Sequence, residues 1–157
     1  MILWGSMACF DKSAFDAYVN GGGGIVGTAG IFSYAPTQLD SLPGTLAPGS
    51  GAAIKWDIPT YTVIDANDVL LQGVTLPPYA QGDVVYYETA SLSLRPGAVG
   101  PAYADQTNEY VISRAEYGQG RATYTILQYV DQSNPWAYDW AKQLIYNAVL
   151  WTAKMKS

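Results

Sequence analysis

Residues Glu109 to Ala153 constrain the fold more than any other stretch of the chain. Two alternating runs, Glu109–Tyr117 and Arg121–Val130, flank Gly118-Gln119-Gly120. A short connection with glycines that tolerate φ > 0 closes a β-hairpin. Alternation places Tyr110, Ile112, Arg114 and Glu116 on one face, and Val111, Ser113, Ala115 and Tyr117 on the other. A helix is then predicted from Asn134-Pro135. Asn134 suits the N-cap, and Pro135 suits the first helical position, where a missing N–H costs nothing. Trp136, Trp140, Leu144, Ala148 and Trp151 recur at helical spacing and define its apolar face.

The wording of this block, Tyr117-Gly118-Gln119-Gly120-Arg121, then Tyr124-Thr125, Trp140, Leu144, Asn147-Ala148 and Trp151, resembles the C-terminal end of class I glutamine-amidotransferase-like domains. It is most similar to their trehalose-utilisation-like branch, where a Tyr-Gly-x-Gly-Arg hairpin precedes a Leu-x-x-Asn-Ala-x-x-Trp helix. Near the N-terminus, Leu3-Trp4-Gly5-Ser6 and then Phe15, Tyr18-Val19 and Gly22-Gly23-Gly24-Ile25-Val26 resemble that family's strand, short helix and glycine-rich strand. The resemblance implies a flavodoxin-like, mostly parallel sheet flanked by helices. It also implies that the strand ending near Gly27-Thr28-Ala29-Gly30 leads into the sharp bend that carries the family's cysteine, or in this branch often a histidine. This chain has Thr28 or Ala29 there, so the catalytic residue does not carry over. Thr28, Ala29, Gly30, Ser33, Tyr34 and Glu88 are the candidate ligand-binding residues. Complete family domains begin with at least one further strand-helix unit, so a shortened domain or a fragment is expected.

Histidine is absent, which removes Ser-His-Asp and Cys-His relays and imidazole metal ligands from within the chain. No Gly-Lys-Ser/Thr P-loop and no Gly-x-Ser-x-Gly elbow occurs. The single Cys9 rules out an internal disulfide and a multi-cysteine metal site, and reads as a small buried residue. A chain of 157 residues is one domain by default. Its 49% hydrophobic and 13% charged residues fit a folded globular protein. A net charge of −5, with eight scattered Lys and Arg, argues against nucleic-acid binding. No apolar run reaches the ~20 residues of a membrane helix. No secretion signal is visible, so a cytoplasmic location is expected.

From the N-terminus, Ile2–Gly5 reads as a buried strand and Asp11 as the cap of a helix running through about Val19. Phe10 and Phe15 stand at the spacing of a hydrophobic staple, and Asn20-Gly21 is a helix stop. Gly24–Ala29 reads as a strand parallel to the first. Ile31 to Ala53, rich in Pro, Gly, Ser and Thr, reads as a surface excursion. Tyr61–Ile64, Asp83–Glu88 and Leu92–Leu94 read as strands, and Ala66–Leu71 as a helical turn.

Gly22-x-Gly24-x-x-Gly27 matches the dinucleotide-binding pattern by letter. That motif needs a strand entering the glycines and a helix leaving them. The predicted order here is the reverse, so the glycines read as a helix stop and a close backbone approach. Asp65-x-Asn67-Asp68 lacks the rest of an EF-hand loop and reads as a helix cap. No cofactor and no metal are expected.

The enzymatic alternative rests on carboxylates. Asp57, Asp83, Glu88, Glu109 and Glu116 lie in or beside predicted strands, and two of them would have to form a glycosidase-like acid/base pair. Solvated strand-edge charges are the simpler reading. Thirteen Tyr and five Trp suit sugar stacking or protein contact. Tyr34, Tyr61, Tyr79, Tyr86, Tyr87 and Tyr103 fall near predicted loops and strand ends, whereas Trp140 and Trp151 read as core. Two functions follow: a non-catalytic amidotransferase-like module binding a small polar ligand, a carbohydrate or a protein partner, or a carboxylate-dependent hydrolase of a sugar or ester. A homodimer is expected, because a sheet beginning at Ile2–Gly5 lacks flanking strands.

Overall fold

The computed structural model describes residues 2–3, 11–28, 39–46, 53–55, 60–77, 87–89, 92–104, 109–125 and 138–157. Their core is a six-stranded sheet in the order β1-β2-β10-β9-β8-β5. The strands are β1 (Ile2–Leu3), β2 (Gly24–Gly27), β5 (Tyr61–Val63), β8 (Val99–Ala104), β9 (Glu109–Tyr117) and β10 (Gly120–Thr125). Two small antiparallel ladders accompany it, β3 (Gly44–Leu46) with β7 (Leu92–Leu94) and β4 (Ala53–Lys55) with β6 (Tyr87–Thr89). The helices are α1 (Lys12–Asn20) and α2 (Asp139–Thr152).

The expected α/β class holds, but the sheet is not mostly parallel. Only β1-β2 and β2-β10 are parallel, while β10-β9, β9-β8 and β8-β5 are antiparallel. The physical reason is connection length. A crossover helix joins β1 to β2, whereas the two-residue turn between β9 and β10 can only reverse the chain.

Asp11 caps α1 as expected, its carboxylate accepting from the N–H groups of Ser13 at 2.9 Å and Ala14 at 3.3 Å. The helix ends in paired reverse bonds, Gly22 N–H to the Val19 carbonyl and Gly23 N–H to the Tyr18 carbonyl. Gly22 sits at φ +107. This is a Schellman stop, and the left-handed residue is a glycine because no Cβ then meets the following carbonyl.

The hairpin tip docks on that stop. Gln119 N–H donates to the Asn20 carbonyl at 2.9 Å, and Arg121 N–H donates to the Gly23 carbonyl at 3.2 Å. The connection is two residues, Gly118-Gln119, with Gly118 at φ +59. Gly120 already pairs with Tyr117 inside the ladder. A Cβ on Gly120 would lie 2.0 Å from the Val19 carbonyl oxygen and 2.3 Å from that of Gly23. Backbone meets backbone there, so only glycine fits.

Three other expectations change. The segment from Ile31 to Ala53 is not all surface excursion: Leu39 and Leu42 are buried in the core, and Gly44–Leu46 is strand β3. Strand β8 went unpredicted because Gly100 and Pro101 interrupt its pattern. Pro101 sits where the β8-β9 register shifts, so its missing N–H is tolerated, and its carbonyl accepts from Ile64 N–H at 2.8 Å. The expected helical turn at Ala66–Leu71 is a run of tight turns instead, with successive N–H groups of Asp68, Leu71 and Val74 reaching back three residues.

Helix α2 buries Ala141, Leu144, Ile145, Ala148 and Trp151 as its apolar stripe. Trp140 is half-buried against the core. The described helix opens at Tyr138, which provides no side-chain cap. The proposed cap at Asn134-Pro135, together with Trp136, lies outside the described residues, as do Cys9 and Phe10.

Candidate functional site

β2 and β10 lie side by side and parallel, in the register Arg121 to Gly24 and Thr123 to Val26. Helix α2 covers the face bearing Gly24 and Arg121, since a Cβ on Gly24 would lie 2.6 Å from the Thr152 carbonyl oxygen. Helix α1 approaches the opposite face at Gly120. The helix before β2 and the helix after β10 therefore lie on opposite faces, and open α/β sheets bind ligands at the carboxyl ends of such strands. Thr28 follows β2 there, and Thr125 ends β10.

Thr28 is completely buried. Beside Thr125, Tyr61 and Trp140 pack with ring centroids 6.4 Å apart, and Tyr138 lies 6.3 Å from Trp140. A void of about 10 Å³ separates Tyr61, Leu76, Ile112, Thr125, Trp140 and Leu144. That is at the lower limit for one water molecule. The Trp140 indole N–H is buried and has no hydrogen-bond partner among the described residues. Among the described residues no group of three acidic, Cys or His side chains converges.

Of the predicted ligand-binding residues, Ala29, Gly30, Ser33 and Tyr34 lie outside the described residues. Glu88 is in β6, opposite Ile54 of β4, and so in a separate ladder from β2, which Thr28 follows. Asp57 and Asp83 also lie outside, as do Tyr79 and Tyr86. Glu109 and Glu116 stand at opposite ends of β9. Seven residues of extended strand separate them by about 23 Å, far beyond the ~5–9.5 Å of glycosidase pairs. Glu116 is exposed and pairs with Arg121 at 3.2 Å.

Arg121 and Trp151, two of the residues that carry the resemblance, belong to a structural clasp at the other end of the sheet from Thr125. The Arg121 guanidinium donates to the carbonyls of Trp151, in the last turn of α2, and of Lys156, beyond the helix, both at 3.1 Å. Arg121 and Arg114 each lie over the Trp151 ring, at 4.8 and 5.4 Å from its centroid. Arg114 also binds the fully buried Asp68 carboxylate at 2.9 Å. Asn147, completely buried, donates to the carbonyls of Leu70 at 2.9 Å and Gln72 at 2.8 Å. Sequence reading had missed Asp68 and both arginine roles. The one local signal was Arg114 and Glu116 sharing a face of β9.

The glycine run at Gly22–Gly27 has the helix-then-strand order expected of it. Gly24 is the close approach, lying against the end of α2. A cleft of about 280 Å³ opens beside it, between Tyr18, Gly22–Gly24, Val149, Thr152 and Lys154. This is the amino end of β2, opposite the carboxyl end that Thr28 follows.

The fold matches that of solved structures, a ThuA-like protein among them. It is similar to a cytoplasmic protein from Salmonella typhimurium, with a TM-score of 0.70 and 17% identity, covering 90% of this chain and 59% of that one. A ThuA-like protein from Bacteroides uniformis gives 0.65 and 14% identity, over 99% of this chain and 69% of that one. A cold-adapted beta-galactosidase from Rahnella sp. R3 gives 0.54 and 17% identity, over 91% of this chain and only 20% of that one. The chain thus spans about three-fifths of the Salmonella protein and one-fifth of the galactosidase. No protein-family model and no curated protein matches the sequence. Among the described residues no helix is long and apolar enough to cross a membrane.

Proposed function

We propose that this chain is a non-catalytic amidotransferase-like module that binds a small polar ligand or carbohydrate, or a protein partner, at the carboxyl ends of β2 and β10. One observation carries the reading. Thr28, which with Ala29 is one of the two positions where the resemblance would put the nucleophile, is completely buried. A nucleophile needs access to substrate and an adjacent base to activate it. A chain without histidine lacks the commonest such base. The similar fold within a much longer beta-galactosidase chain supports a module reading, since there the same architecture is one part of a larger protein.

The test is to incubate the purified protein with glutamine, p-nitrophenyl acetate and p-nitrophenyl glycosides, and in parallel to titrate it with simple sugars by heteronuclear NMR. No turnover is expected, with any sugar-induced shifts falling around Thr28, Thr125, Tyr61 and Trp140. Turnover abolished by Thr28→Ala would overturn the non-catalytic reading. Turnover that survives Thr28→Ala but is lost in Glu88→Gln would favour the carboxylate hydrolase instead.

A further inference from the structure

We draw no further inference here: the strongest candidate, the 280 Å³ cleft between the end of α1, Gly22–Gly24 and the last turn of α2, has exposed Tyr18 and Val149 at its edge, and nothing in the structure shows what covers it.

Discussion

At the scale of single residues, the charges of this chain act mainly as fasteners. Asp16 illustrates the balance. Burial alone pushes its carboxyl up, but Lys12 and the N–H groups of Ser41 and Asp40 outweigh burial and hold it below 3.8. The unfolded chain therefore takes up the proton first as pH falls. Stability from Asp16 is complete above about pH 5 and is lost as pH drops through the lowered folded value. Asp16→Asn should lower the urea midpoint at pH 7 and narrow the gap between the pH 7 and pH 3 midpoints. An unchanged gap would mean that Asp16 does not couple folding to protonation. Trp151 makes a larger contribution. It is 3% exposed, so Trp151→Ala should cost ~3–5 kcal/mol, the range for a large buried aromatic. Half-buried Trp140 should cost less on the same substitution. A Trp140 loss equal to that of Trp151 would place its ring as deep in the core.

At the scale of elements, the hairpin and helix α1 are held together by backbone rather than by side chains. Gly120 and Gly97 separate two reasons for a glycine. Gly120→Ala drives a Cβ into two carbonyl oxygens that neither rotate nor swing away. It should cost more than about 3 kcal/mol, beyond ordinary overpacking. Gly97 has φ +82 and open space around its Cβ position, so Gly97→Ala should cost only the ~1–2 kcal/mol of a left-handed L-residue. Equal losses in urea denaturation would show that the hairpin tip moves away from α1 when crowded. The hairpin was legible because alternation and turn glycines are local signals. Strand β8 was not, because Pro101 and Gly100 disguise a strand that only its pairing with β9 and β5 stabilises.

At the scale of the whole molecule, the expectation is self-association. Among the described residues, β1 stands at one end of the sheet and pairs at Ile2 and Leu3 with Val26 and Gly27 of β2. With charged residues at 13%, little of the chain is available to guard a strand edge electrostatically. We therefore expect a homodimer that buries aromatic and aliphatic surface from the N-terminal half. Sedimentation at micromolar concentration should give about twice the 16.9 kDa chain mass. A single species of chain mass would count against the dimer, since an obligate interface persists at that concentration.

The sequence by itself determined the features that a few neighbouring residues control. These are the Asp11 cap, the glycine stop of α1, the parallel β1-β2 pair, the hairpin and the buried stripe of α2. Its resemblance wording also pointed to a fold that a ThuA-like structure shares, and Arg121 and Trp151 from that wording join hairpin and helix. What only the tertiary structure decided involves partners far apart in the chain. Arg114 meets Asp68 across 46 positions, and Asn147 reaches Leu70 across 77. The burial of Leu39 and Leu42 belongs with them, as does that of Thr28. A buried polar group needs a partner and a core residue needs cover, and the packed fold alone decides which distant residues supply them.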